Sequence, residues 1–148
     1  MAKAADIPLH PDMTFAEAAA LTVGVRAEEV WEHSENVLDM TDIERVHAMR
    51  VATRRLRAVL EIFQPAFPAG RYRAVLKEVK ALADALGCRR DPDVQLQAMA
   101  DVEGAGTLVR RYAAEQLEGN HTLAAALQHA EEIDLRGQLK ALVAEASA

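Results

Sequence analysis

Apolar residues recur every three to four positions along most of the chain, which is the spacing that places them on one face of a helix. The sequence on this basis predicts helices over about 15–39, 42–63, 71–86, 92–100, 107–131 and 135–146. No segment shows the alternation of a strand, and short connections favour antiparallel neighbours. We therefore expect an all-α protein, an antiparallel bundle of five to six helices over residues 15–148, with a flexible tail at residues 1–14.

Start and stop signals set several of these boundaries. Residues 14–17 and 41–44 each fit a capping box, in which a threonine and a glutamate satisfy each other's free amides. The segment QPAFPAG should end the second helix. Gly87 is placed to end the third helix in a left-handed conformation, and Asp91-Pro92-Asp93 has the features of a new helix start.

Composition narrows the class of protein. Hydrophobic residues make up 51% of the chain and aromatic residues only 4%, which is typical of a helical bundle. No apolar run is long enough to cross a bilayer, and the N-terminal residues lack the apolar core of a signal peptide. The single cysteine, Cys88, excludes an internal disulfide. We expect a cytoplasmic protein without membrane attachment.

The charge is distributed unevenly. The chain as a whole carries −6, but residues 45–90 hold eleven basic and three acidic residues, a charge of +8, so the remainder carries −14. On a helix with about 100° per residue, four basic side chains of the second helix fall within roughly 80° of one another. They are His47, Arg50, Arg54 and Arg57. A second basic stripe on the third helix contains Arg73, Lys77 and Lys80.

Two interpretations of these stripes are open. They are a solvated face whose arginines pair with carboxylates of neighbouring helices, or they bind an anionic ligand with many charges. Residues 45–57 contain no carboxylate, and acidic residues four positions from these arginines are scarce, so pairing within the helix is poor. Arginine forks match phosphate oxygens in pairs, and lysines add point charges. The pattern therefore favours a phosphate-rich ligand.

The order H-x-x-R-x-x-x-R-R-x-R, present from His47 to Arg57, resembles the signature helix of the CHAD family, the conserved histidine α-helical domain. The downstream stretch EVKALADALGCRRDPDV is similar to the next motif of that family. The resemblance covers about residues 15–145 and is strongest over 43–97. It implies an all-helical fold that binds inorganic polyphosphate, with granule association as a further expectation.

Carried over from the resemblance, the phosphate contacts are expected to be His47, Arg50, Arg54, Arg57 and Lys80. Helical geometry and proximity add Arg73, Lys77 and Arg90. The family's full domain consists of two related bundles about a pseudo-twofold axis, and this chain resembles only the first. We interpret it as either a half-length form or a truncated one. A homodimer would supply the second basic bundle, and it is the expected assembly.

The sequence also bears on metal binding, catalysis and nucleic-acid binding. Glu-x-x-His spacing occurs at residues 44–47 and 118–121, but arginines beside the first and Gly-Asn within the second speak against a metal. No nucleophilic constellation or phosphate loop is present, so we expect no enzymatic activity and no cofactor. A nucleic-acid-binding protein and a partner-binding scaffold remain alternatives. The acidic flanks and the lack of interleaved aromatic residues disfavour nucleic acid.

Overall fold

Five α-helices follow one another in the part of the chain that the structure describes, residues 3–147 of a computed structural model. They are Phe15–Glu32 (α1), Ile43–Ile62 (α2), Ala69–Met99 (α3), Gly106–Glu132 (α4) and Leu135–Ala144 (α5), and a 3₁₀ turn occupies Gln64–Ala66. Residues 3–147 contain no strand, which confirms the all-α prediction. Residues 1, 2 and 148, which the prediction assigned to the tail and the bundle, lie outside the described residues.

Helices that follow each other in sequence pack side by side. The chain packs α1 on α2, α2 on α3 and α3 on α4, and α5 returns to α1 while also touching α3 and α4. Polar pairs between α3 and α4 run in opposite directions along the two helices, since Glu78 meets His129 while Asp93 meets Gln116. The arrangement is an antiparallel helical bundle, as predicted.

One apolar core joins all five helices. The fully buried side chains of α2 lie on one face of that helix, and they include Val46, Met49, Leu56 and Leu60. The helix α4 is different, because only Gly119, Leu123 and Ala130 are buried along its 27 residues. The burial of aliphatic side chains is the main stabilising term at about 25 cal/mol per Å², so α4 depends more than α2 on other contacts.

The first capping box is confirmed: the hydroxyl of Thr14 accepts from the amide of Glu17, and the Glu17 carboxylate accepts from the amide of Thr14, both at 3.1 Å. Residues 3–14 form no helix. Near their start the carbonyl of Ala5 accepts a hydrogen bond from Arg26 of α1. The flexibility of this tail stays a prediction.

The connection between α1 and α2 differs from the prediction. Helix α1 ends at Glu32 rather than near residue 39, and Asn36 adopts a left-handed conformation (φ 53°) in the turns that follow. These turns place Val37 in the core, where it is 1% exposed. The N-cap of α2 is Asp42 rather than Thr41, because the Asp42 carboxylate accepts from the amide of Glu44.

The predicted break in the middle of α3 is wrong. The helix continues through Gly87 and Pro92 to Met99, over 31 residues. Proline has no N–H, so the carbonyl four residues earlier, that of Cys88, does not receive the hydrogen bond that an amide at position 92 would donate. Local signals at Gly87 and Pro92 favour a helix end, but the packing of α3 along α4 keeps the helix continuous.

Candidate anion-binding face

The basic residues of α2 lie beside its buried face. Thr53, between Met49 and Leu56 on the core side, donates its hydroxyl to the carbonyl of Met49 at 2.8 Å and is fully buried. With that face against the core, the predicted stripe lies on the remaining surface of the helix. Arg54 and Arg57 are exposed, and the other two stripe residues, His47 and Arg50, are half-buried.

Two arginines of the α2 stripe meet carboxylates. Arg50 lies near Asp91 of α3, with Nη1 and Oδ1 3.8 Å apart. Arg57 pairs within α2 with Glu61, at 3.2 Å between Nε and Oε1. Arg54, between them, has no ion-pair partner among residues 3–147. The middle of the stripe is therefore the part whose charge is uncompensated.

The basic stripe of α3 lies along a shallow surface groove. Arg73, Lys77 and Lys80 line it together with Leu76, Ala81 and Asp84. Arg73 and Lys77 are exposed and Lys80 is half-buried. In the described part of the chain none of these three cations forms an ion pair. Spacing of three and four residues thus places all three on one side of α3, as predicted.

His47 of α2 interacts electrostatically with Arg90 of α3. The pKa of His47 is lowered by its partial burial and next by the positive charge of Arg90, with a smaller contribution from Arg50 and an opposing one from Glu44. Arg90 is half-buried, and within residues 3–147 its buried Nη1 has no hydrogen-bond partner. A neutral histidine beside an unsatisfied guanidinium can gain a proton and a counter-charge together when an anion binds.

Beyond His47 the surface becomes mixed in charge. A groove lined by His47 and Arg45 also contains the carboxylates of Glu32, Glu35, Asp42 and Glu44. These acidic groups would repel an anionic chain that extends past the N-terminal end of α2. Among residues 3–147, no cluster of histidine, cysteine and acidic side chains is arranged to hold a metal ion.

Within the two stripes, the pairing interpretation is correct for Arg50, which meets Asp91 of the neighbouring helix. Basic residues of the +8 segment outside the stripes also pair with carboxylates outside the segment. Arg45 meets Asp42, and Arg71 meets Glu145 across to the end of α5. Other cations of the segment have no ion-pair partner in the described chain, and these include Arg54, Arg73, Lys77, Lys80 and Arg90. We use the name basic face for the predicted set of His47, Arg50, Arg54, Arg57, Arg73, Lys77, Lys80 and Arg90.

Sequence reasoning missed a buried polar cluster next to this face. Arg89, one of the eleven basic residues of the +8 segment, is 0% exposed and pairs with Asp93, which is 1% exposed. Asn120 of α4 accepts from Arg89 Nε at 3.2 Å, and Gln116 donates to Asp93 at 2.6 Å. The four-residue spacing of Arg89 and Asp93 is a signal of such a pair, but the expected helix break between them concealed it.

Comparison with known proteins adds one finding. A family model described as the CHAD domain matches residues 23–148, most of the chain. The chain belongs to the CHAD domain family. No curated protein and no solved structure matched it. The matched residues of this CHAD domain include every residue of the basic face and of the buried polar cluster. No helix in the described part of this CHAD domain is long and apolar enough to cross a membrane.

Proposed function

We propose that this CHAD domain binds inorganic polyphosphate on the basic face and catalyses no reaction on it. The observation that carries the proposal is a set of cations on the adjacent helices α2 and α3 that have no ion-pair partner among residues 3–147. They belong to a protein whose net charge is −6. Family membership supports the same ligand, because CHAD domains are associated with polyphosphate binding.

The shape of the face suits a linear anion better than a compact one. Exposed Arg54 and the groove that Arg73, Lys77 and Lys80 line lie on two packed helices, so their charges are spread over several turns. A ligand with one charge per repeating unit can contact many of them at once. Guanidinium forks bind phosphate oxygens in pairs and ammonium groups act as point charges.

The half-buried end of the face should bind differently from the open part. His47, Arg50 and Arg90 are partly shielded from water, so a phosphate group there would interact more strongly than at the exposed positions. Asp91 competes for Arg50 in the free protein, since the two side chains lie 3.8 Å apart. We infer that ligand binding loosens this pair and protonates His47.

Competition distinguishes polyphosphate from nucleic acid as the ligand. Long-chain polyphosphate is titrated into the purified protein at low salt with a chelator present, and duplex DNA is then added as a competitor at equal phosphate concentration. We expect binding without metal and little displacement by DNA. Equal or better displacement by DNA would favour a nucleic-acid-binding protein, and absence of binding at low salt would refute the proposal.

The homodimer and the granule location stay predictions. An apolar groove lies between α1 and α5 and is lined by Leu21, Val25 and Val143 among others. Exposed apolar surfaces of this kind often mark an interface, so the groove is one place where a second copy could bind. Light scattering with and without polyphosphate tests the dimer, which a strict monomer under both conditions would refute.

Fluorescence microscopy of a tagged chain beside stained granules tests the location.

A further inference from the structure

The segment of α3 that carries Arg90 and Asp91 lies at a weak point of the helix. Pro92 is buried inside α3 and cannot donate a hydrogen bond to the carbonyl of Cys88. Gly87 lies directly before Cys88 and adds flexibility to the helix backbone. A helix interrupted by proline usually kinks or ends. The position of Arg90 relative to α2 therefore depends on contacts that hold this segment from outside.

Helix α4 supplies the first of these contacts at Gly119. A Cβ atom on Gly119 would lie only 2.5 Å from the carbonyl oxygen of Cys88 and 2.9 Å from its carbonyl carbon. Only glycine permits this approach of the two backbones. The carbonyl of Cys88, which cannot receive a hydrogen bond from Pro92, is thus covered by the backbone of α4. A proline and a glycine that each disfavour a helix interior meet at this crossing.

The buried polar cluster supplies the second contact. The ion pair of Arg89 and Asp93 spans Pro92 on one side of α3. From α4, Asn120 accepts a hydrogen bond from Arg89, and Gln116 donates one to Asp93. Asn120 also donates to the carbonyl of Leu38 at 3.2 Å, in the connection that leads into α2. The cluster therefore joins α3, α4 and the connection before α2 around the proline.

We propose that Arg89 and Asp93 are positioning residues for the anion-binding face. They fix the part of α3 after Gly87, so that Arg90 is held near His47 and Asp91 near Arg50. Neither residue is accessible to a ligand, because both are at most 1% exposed. Their effect on binding is exerted through the placement of Arg90. This inference rests on the proposed function of the face.

The test replaces the buried pair by apolar residues of similar size, in the double variant Arg89→Met with Asp93→Leu. Such replacements of buried ion pairs often preserve the stability of a protein, and this one leaves the net charge unchanged. The matched control is Arg111→Met with Glu115→Leu, which removes an exposed pair of the same spacing on α4. Helicity is followed by circular dichroism, polyphosphate affinity by calorimetry and the pKa of His47 by NMR.

We expect the double variant to stay helical and to bind polyphosphate roughly tenfold more weakly, the loss of about one well-placed charged contact. The pKa of His47 should rise, because Arg90 no longer faces it, and the control should match the unmodified protein in both measurements. If the double variant does not fold, Asn120→Ala, which removes one partner of Arg89, is measured in the same way.

Two outcomes separate this inference from the proposed function. A folded variant with unchanged affinity and an unchanged pKa of His47 would overturn the positioning role while polyphosphate binding by the unmodified protein stands. If the unmodified protein does not bind polyphosphate, the proposed function fails, and the pKa of His47 in the variant still reports whether Arg89 and Asp93 position Arg90.

Discussion

Two regions of this CHAD domain use arginine in opposite ways. On the basic face, Arg54 is exposed and has no ion-pair partner within residues 3–147. Between α3 and α4, Arg89 is completely buried and bound by both Asp93 and Asn120. Both residues come from the same +8 segment of the chain. We propose that the first arginine binds a ligand, whereas the second forms polar contacts between two packed helices.

The comparison shows that the charge of a segment does not by itself define a binding surface. Of its eleven basic residues, Arg45, Arg50, Arg71 and Arg89 pair with carboxylates outside the segment. What distinguishes the basic face is the absence of such partners around its centre in the described residues.

Replacing Arg89 by alanine should destabilise the protein strongly. Asp93 would then be buried as a charge without its partner, and such losses cost about 3–5 kcal/mol. For a protein of this size we expect the melting temperature to fall by roughly 10 °C or more. Thermal unfolding measures the change, with Arg110→Ala on the exposed surface of α4 as the control. A melting temperature within about 2 °C of the unmodified protein would show that the buried pair is not structural.

Replacing Arg54 and Lys80 together by alanine should weaken polyphosphate binding but not the stability of the fold. The basic face then loses two cations that have no ion-pair partner in the described part of the chain, so affinity for polyphosphate should fall by roughly tenfold or more. Stability should hold or rise slightly, because repulsion between like charges is relieved. Calorimetric titration measures the affinity, and thermal unfolding measures the stability. The control is Arg110→Ala combined with Lys140→Ala, which removes the same charge elsewhere on the protein. An unfolded variant would instead assign these two cations to the structure.

The pH dependence of binding should depend on His47. Its pKa is lowered in the free protein by burial and by Arg90, and a bound anion would raise it again. Affinity should therefore increase several-fold between about pH 7.5 and about pH 5.5, with proton uptake, and His47→Gln should reduce that increase. Identical pH profiles for both proteins would exclude the role of His47.

The same lowered pKa affects the stability of the free protein with the opposite consequence. The unfolded chain protonates His47 at its ordinary pKa, near 6.5, while the folded chain does so only at lower pH. The contribution of His47 to the free energy of unfolding thus decreases as the pH falls below about 6.5. Acid should weaken the free protein and strengthen its complex with polyphosphate.

The smallest effect is expected at Asp91. Its carboxylate is exposed and 3.8 Å from Arg50, so an ion pair of this kind contributes at most about 1 kcal/mol. Asp91→Asn should release Arg50 and increase polyphosphate affinity by roughly two- to threefold. Glu115→Gln, which releases Arg111 on α4, is the matched control. A weaker complex for Asp91→Asn than for the control would assign Asp91 to ligand binding.

Local patterns predicted the fold better than they predicted the course of α3. Apolar spacing identified the helices, and the first capping box placed the start of α1 correctly, because both depend on residues close in sequence. Gly87 and Pro92 pointed to a helix end that does not occur. The contact of Gly119 with Cys88 joins residues 31 positions apart, and nothing local to either residue encodes it.

The basic face shows the same limit. Helical spacing placed Arg73, Lys77 and Lys80 along one groove, but it could not identify which cations have partners. Arg71 pairs with Glu145 more than 70 positions away, whereas Arg73, two residues further on, has no ion-pair partner in the described chain. Whether an arginine is free to bind a ligand is decided by tertiary packing, which spacing along one helix does not contain.

The salt dependence of polyphosphate binding tests the central claim most directly. The logarithm of the association constant is measured against the logarithm of salt concentration for the unmodified protein and for the Arg54→Ala, Lys80→Ala variant. If unpaired cations bind the phosphates, the slope should be steeply negative, and the variant should lose about 2 from its magnitude, one for each contact. A flat response, or equal slopes for both proteins, would contradict the account.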